Sequence, residues 1–169
     1  MDAVHGSRAV NVQDLSLLAF DAFGSYACMY KAERPQTGAV RNEFYRDVKQ
    51  LGLSPTGSAS VTVCVAEPRP HVVSSLACCN TRATGFLPLT GDVLLQLAPA
   101  SPSGYVPLDK IAVFRIPRGT LCTIREGVWH HAPYPAGDQP VLACIVQPDP
   151  APQSDYMVID LELSQQVQF

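Results

Sequence analysis

Residues 114–135, FRIPRGTLCTIREGVWHHAPYP, set two strand-like runs on either side of a tight turn. The apolar pattern Ile111, Val113, Phe114 and Ile116 leads into Pro117-Arg118-Gly119, whose proline and glycine mark a turn. A second run then reaches Gly127-Val128-Trp129-His130-His131, and Pro133 and Pro135 bound it. This stretch carries two of the chain's four histidines and its only tryptophan. Imidazoles beside a large aromatic at the end of a β-hairpin suit the mouth of a small barrel, where compact ligands bind. The rest of the chain reads as a scaffold for that mouth.

Working outward, the character is β from Ser58 onward. Val61, Val63 and Val65 alternate along SVTVCV, so they share one face of a strand that Pro68 and Pro70 end. Residues 71–79 are a further candidate, and 86–97 (FLPLTGDVLLQL) reads as two strands hinged at Thr90-Gly91-Asp92. Residues 98–108 carry three prolines and a glycine and read as loop; 111–117, 120–126, 141–147 and 156–163 are strand-like. Toward the N-terminus, Leu15, Leu18, Ala19 and Ala22 fall at helical spacing, with Asp14 as cap and Gly24 as stop. A strand follows through Tyr26–Tyr30, whereas 40–51 (VRNEFYRDVKQL) stays open between a short helix and an irregular strand. Fifteen prolines suit many short strands joined by turns. The expectation is one mainly β domain over residues 1–169, a cupin-like β-barrel or jelly roll with one or two short N-terminal helices, the first within 12–24.

At 169 residues the chain can bury a sizeable core, and a formal charge of -3 without a basic run argues against nucleic acid and anionic membrane as partners. No apolar run is long enough to span a bilayer, and MDAVHGSRAVNVQD lacks the apolar core of a secretory signal. The six cysteines sit mostly in apolar runs and form no C-x-x-C pair, so they read as reduced core residues of a cytoplasmic protein.

His130-His131 is the sharpest chemical feature. Adjacent side chains on a regular strand point to opposite faces, so the pair shares a site only if the strand breaks, as Pro133 allows. A metal centre needs further donors, and His71 is the one other internal histidine. An isolated histidine is most often a hydrogen-bonded structural imidazole, and a tryptophan such as Trp129 is more often core than a stacking platform. Pro117-x-Gly119 is similar to the turn opening the second cupin motif. There a metal-binding histidine stands three residues past the glycine; here that residue is Cys122, and a thiolate is itself a metal ligand. Asp160 and Glu162 share a face of the last strand, which reads first as a solvated face and second as a carboxylate pair.

The GVWHH run resembles the ureidoglycolate lyase family, whose stretch reads roughly P-G-G-Q-G-V-N-Y-H-R-G-V-W-H-H-P. Pro117–His131 fits it without gaps at Pro117, Gly119 and Gly127–His131. Phe20–Gly24 looks like that family's opening F-x-x-Y-G, Glu43–Asp47 its R-Y-H-D segment, Val61–Pro68 its strand ending N-R-A-Q-P, and Phe86-Leu87-Pro88 its F-x-P. The departures fall on pocket positions. The histidine of Y-H-R is Arg125 and the arginine after it Glu126; the histidine of R-Y-H-D is Arg46; and the arginine of N-R-A-Q-P is Val65. The family's E-x-x-H-P meets Leu76–Asn80, and a nearby glutamine meets Thr84.

The resemblance implies a homodimer of cupin-like fold that cleaves ureidoglycolate, or a related small carboxylate, to glyoxylate and urea. It makes His131 and His130 the candidate base and acid. Arg46 or Arg125 becomes the carboxylate clamp, in keeping with guanidinium geometry. Tyr45 and Trp129 would contact the substrate, and Asp47 would orient one of these groups. No cofactor is assigned, and a divalent metal is left open. The altered pocket keeps a second reading beside this one: a non-catalytic module binding a small carboxylate or a partner protein, or a cupin enzyme with another substrate.

Overall fold

The computed structural model describes residues 8–30, 36–37, 43–44, 47–51, 58–148 and 156–169. The described chain begins with strands β1 (Arg8–Ala9) and β2 (Val12–Asp14), the one-turn helix α1 (Leu17–Phe20) and β3 (Gly24–Cys28). β4 (Gln36–Thr37) and β5 (Glu43–Phe44) pair with each other. Next come β6 (Ala59–Ala66), β7 (Val72–Val73), β8 (Ser75–Cys79), β9 (Thr84–Pro88) and β10 (Val93–Ala98). β11 (Ala112–Ile116), β12 (Thr120–Ile124), β13 (Trp129–His130), β14 (Tyr134–Pro135) and β15 (Val141–Pro148) follow. β16 (Tyr156–Asp160) and β17 (Val167–Gln168) come last. No helix among the described residues is long and apolar enough to cross a membrane.

Two sheets make the barrel. One has seven strands in the order β16-β8-β13-β10-β11-β2, with β14 also on β10; the other has five, in the order β3-β12-β9-β15-β6. The mainly β, double-sheet reading of the sequence therefore holds. The hairpin expected around 117–119 does not: the turn is there, but its flanking strands β11 and β12 lie in different sheets. β11 is taken by β10 and β2, and β12 by β3 and β9, so the turn carries the chain from one sheet to the other. Gly119 makes this corner with φ 73°, and a Cβ there would meet the Tyr30 ring at 2.1 Å. Only glycine meets both demands.

Inward-facing residues of both sheets form the main core. Val93, Leu95, Leu97, Phe114 and Ile116 come from one sheet, and Phe86, Cys122, Ile124, Val141 and Ala143 from the other. On the side of β2 and β3, Phe20 and Phe23 complete it. Their rings sit 5.3 and 5.5 Å from that of Phe114 in edge-on contacts, the arrangement aromatic quadrupoles favour. A second cluster, with Val73, Leu76, Trp129, Leu161 and Val167, packs separately.

The N-terminal reading needs correcting. Residues 12–14 form a strand parallel to β11, so Asp14 cannot cap a helix. The helix is a single turn, and the Ser16 hydroxyl caps it, accepting from the Ala19 amide at 3.1 Å. Of the spaced set Leu15, Leu18, Ala19 and Ala22, Leu15 and Ala19 are half-buried against the core, whereas Leu18 is 92% exposed. Phe20 and Phe23 are buried instead, because the core offers them aromatic partners. Of the 40–51 segment, Glu43–Phe44 is strand and 47–51 is turn and bend; 40–42 and 45–46 lie outside the described residues. At the other terminus β16 stops at Asp160, and Glu162 caps the following 3-10 turn, so the two carboxylates do not share a strand face.

Candidate functional site

A cavity of about 300 Å³ opens on the side of the barrel formed by β6, β15 and β16. Phe86, Leu95, Ile124 and Ile145, inward residues of both sheets, give it apolar walls. Thr84 and Gln147 contribute a polar patch in which the Gln147 amide donates to the Thr84 hydroxyl at 3.2 Å. His130, His131, Ala132, Pro133, Thr62, Cys64 and Tyr156 line the remainder.

β13 is only two residues long because the chain turns on both sides of it. Before it, Gly127 takes φ 72° and its amide donates to the Cys79 carbonyl at 2.7 Å. Within it, side chains alternate: Trp129, opposite Ala98, joins the second cluster, while His130, opposite Leu97 and Ala77, faces the cavity. Pairing stops at His130, so strand alternation does not send His131 away, and both imidazoles line one cavity. The Pro133 break noted in the sequence is realised. Arg69 and Gln96 hold the turn from behind. The Arg69 guanidinium donates to the Ala132 and Pro133 carbonyls at 2.7 and 2.9 Å, and the Gln96 amide donates to Ala132 at 3.1 Å. Arg69 also lies 3.6 Å over the Tyr134 ring, whose hydroxyl donates to the Val72 carbonyl at 2.6 Å.

The two imidazoles are set up differently. His130 Nδ1 lies 2.9 Å from the Val128 carbonyl. A carbonyl only accepts, so Nδ1 carries the proton and Nε2 of the neutral ring keeps its lone pair. Burial strips hydration from the imidazolium and lowers the His130 pKa; the Val128 carbonyl opposes this, and neighbouring His131 adds to it. His131 is lowered too, first by burial and then by the Arg69 charge, with Asp160 pulling the other way. Its Nδ1 stands 3.4 Å from the Ser75 hydroxyl, a long contact. Two neutral imidazoles therefore face the cavity at neutral pH.

The remaining sequence candidates fare unevenly. Arg125 is a correction: it is half exposed on the surface, where it pairs with Asp21 at 3.2 Å and donates to the Asp21 carbonyl. It does not line the cavity, because β12 ends at Ile124 and Arg125 lies beyond the inward-facing series. Trp129 is a second correction: it is 1% exposed, and its indole N–H donates to the Ser101 hydroxyl at 2.9 Å, on the far side of the strand from the cavity. Asp47 occupies an exposed turn at φ 54° and is not part of the cavity wall. Tyr45 and Arg46 lie outside the described residues. Cys122 belongs to the core, where burial pushes its thiol up to about 12, and it does not line the cavity. Among the described residues no group of three or more His, Cys, Asp or Glu side chains is placed to hold a metal ion, and the divalent metal left open by the sequence gains no donor set from them.

Sequence reasoning passed over Thr62, Cys64, Gln147 and Tyr156 as wall residues, whereas Thr84, where the motif resemblance set a pocket glutamine, does line the cavity. One signal was present: Gln147 is the polar residue closing the apolar run VLACIVQ, two residues past inward-facing Ile145.

No family model and no curated protein matches the chain. Solved structures match its fold. A dTDP sugar isomerase from Desulfovibrio desulfuricans G20 aligns with TM-score 0.52 and 17% identity, over 84% of this chain and 87% of that one. An oxalate decarboxylase–formate complex from Lactobacillus farciminis aligns with TM-score 0.43 and 16% identity, over 61% of this chain and 26% of that one. The chain thus spans about a quarter of the length of the oxalate decarboxylases it matches. At these identities the likeness speaks for architecture, and with the strand order above it makes this chain a cupin-like double-sheet β-barrel.

Proposed function

We propose that the chain is an acid–base enzyme of cupin-like fold whose His130–His131 turn acts on a small polar molecule held in the barrel mouth. The observation that carries this reading is the His130 hydrogen bond to Val128, which leaves a neutral Nε2 beside a second imidazole in a partly apolar cavity. Such a nitrogen keeps its basicity available at neutral pH, the requirement for general-base catalysis. The motif resemblance supplies the substrate to try, ureidoglycolate. His130 would take the carbinol hydroxyl proton as the carbonyl forms. The carbon–nitrogen bond would break with its electron pair going to nitrogen, and the proton taken by His130 would be returned there, directly or through His131, releasing glyoxylate and urea.

One observation favours a second reading. The described cavity wall carries no lysine or arginine, and a carboxylate substrate needs a cation. On that ground the mouth is a binding site for a neutral ligand that is not turned over.

Glyoxylate release from ureidoglycolate by wild type, His130→Ala and His131→Ala, beside a thermal-shift series, separates the readings. Release that His130→Ala lowers by about 10²–10⁴ supports the enzyme. A raised melting temperature without release supports the binding module. Neither release nor a shift, across ureidoglycolate, glyoxylate, oxalate and neutral ureido compounds, removes both readings for this ligand class.

A further inference from the structure

β6 is an eight-residue strand, ASVTVCVA, at the edge of the five-stranded sheet, joined on one side only, to β15. Among the described residues nothing pairs with its other side. Its outward face is Val61, Val63 and Val65, which are 67%, 63% and 55% exposed. Long edge strands normally carry lysines, prolines or bulges that prevent pairing with another chain. β6 has none of these between Ala59 and Ala66, and its first charge, Glu67, comes just after the strand ends. A bare apolar edge of this kind indicates that another strand covers it.

The sequence points to which strand. Read outward from Val63 in both directions, Val61 matches Val65, and the pairs Thr62 and Cys64, and Ser60 and Ala66, match in size. A two-fold interface requires one patch to be complementary to itself, and a strand that reads alike from either end meets that condition when paired antiparallel. We propose that β6 pairs with β6 of a second copy of this chain about a two-fold axis at Val63, joining the two five-stranded sheets into one. Directly opposed residues point to the same face, so this register sets Val61 against Val65, Val63 against Val63 and Val65 against Val61 on the outer side. A shift of two residues one way loses a valine pair to Ala59; the other way it sets Val61 against Glu67. A one-residue shift opposes valines to Thr62 and Cys64, so the register is specified. On the inner side Thr62 lies opposite Cys64 of the second copy. Both line the cavity, so each copy's strand completes the rim of the other's mouth.

Sedimentation velocity of the full chain over a wide concentration range tests the proposal. Wild type is expected to sediment as a dimer. Val63→Glu, which opposes two like charges on the axis at an exposed position, is expected to sediment as a monomer with unchanged circular dichroism and a cooperative melt. A wild type that stays monomeric throughout, or a folded Val63→Glu that remains as dimeric as wild type, overturns it. Should Val63→Glu not fold, Val63→Cys decides. On mild oxidation it is expected to give a covalent dimer well above the background of the native cysteines, and Val61→Cys, facing Val65, is not. Equal yields from the two cysteine variants overturn the register.

Discussion

The two sides of the barrel interior are both built from the two sheets and do opposite things. On the side of β2 and β3, Phe20, Phe23 and Phe114 fill the space between the sheets, and Phe20 and Phe114 are at most 1% exposed. On the side of β6 and β16, the inward-facing series passes through Thr62, Cys64, Thr84, Gln147 and His130 and leaves about 300 Å³ open. A closed sheet does not dictate what fills it; side-chain volume does. Where aromatics enter from α1 and the loop behind it, the barrel is core. Where the sequence supplies threonines, a glutamine and imidazoles, it is a site.

On this division the packed side carries the stability. Phe114→Ala removes a ring that meets two others edge-on and leaves a hole that α1 cannot collapse into, so a loss of about 3–5 kcal/mol is expected in urea or guanidinium titrations. A loss below about 1 kcal/mol would mean that the phenylalanines are not a packed unit, and the contrast would fail.

Charge on the hollow side provides the next test. Both imidazoles have folded-state pKa values below the ordinary histidine value, so the unfolded chain binds their protons more readily. The sign follows: this pair takes nothing from stability above about pH 6.5, and stability falls as pH drops through that value toward the depressed folded pKa values. Melting temperature is expected to decline between about pH 7 and pH 5, and His130→Gln is expected to flatten the decline. A melting temperature level across that window would mean that the mouth is wetter than its geometry implies.

Much of this division was legible in the sequence. The strand runs and the turn at Pro117–Gly119 follow from local pattern, and the structure keeps them. What was not legible is pairing at a distance. Nothing local to 111–126 says that β11 and β12 bond to strands in separate sheets. Alternation likewise placed Val61, Val63 and Val65 on one face but could not say that this face points outward, since period two is the same for either side. Trp129 and His130 show the same limit. Their opposition was foreseeable from strand geometry, but which of them meets the cavity depends on Ala77 and Leu97 across the ladder.

Arg69 gives a smaller test, aimed at one residue of the hollow side. Its charge helps to hold the His131 pKa down, and its guanidinium fixes two carbonyls of the turn. Arg69→Ala should therefore raise the His131 pKa, read from imidazole proton shifts. Because the side chain is exposed, the cost in stability is expected to be only about 1 kcal/mol. An unchanged His131 titration would separate Arg69 from the mouth and leave it a surface strap for the turn.

The smallest expected effect concerns Arg125, which the motif resemblance placed in the pocket. Its guanidinium pairs with Asp21 at 3.2 Å, with the two side chains 54% and 75% exposed. Exposed pairs of this kind contribute about 0–1 kcal/mol, so Arg125→Ala should be nearly silent in denaturation. It should be silent in ligand binding as well, because β12 ends before it and the cavity wall does not include it. A carboxylate ligand whose affinity fell tenfold or more in Arg125→Ala would place that side chain in the mouth. The clamp role assigned by motif alignment would then be restored, and the boundary drawn between surface and cavity would have to move.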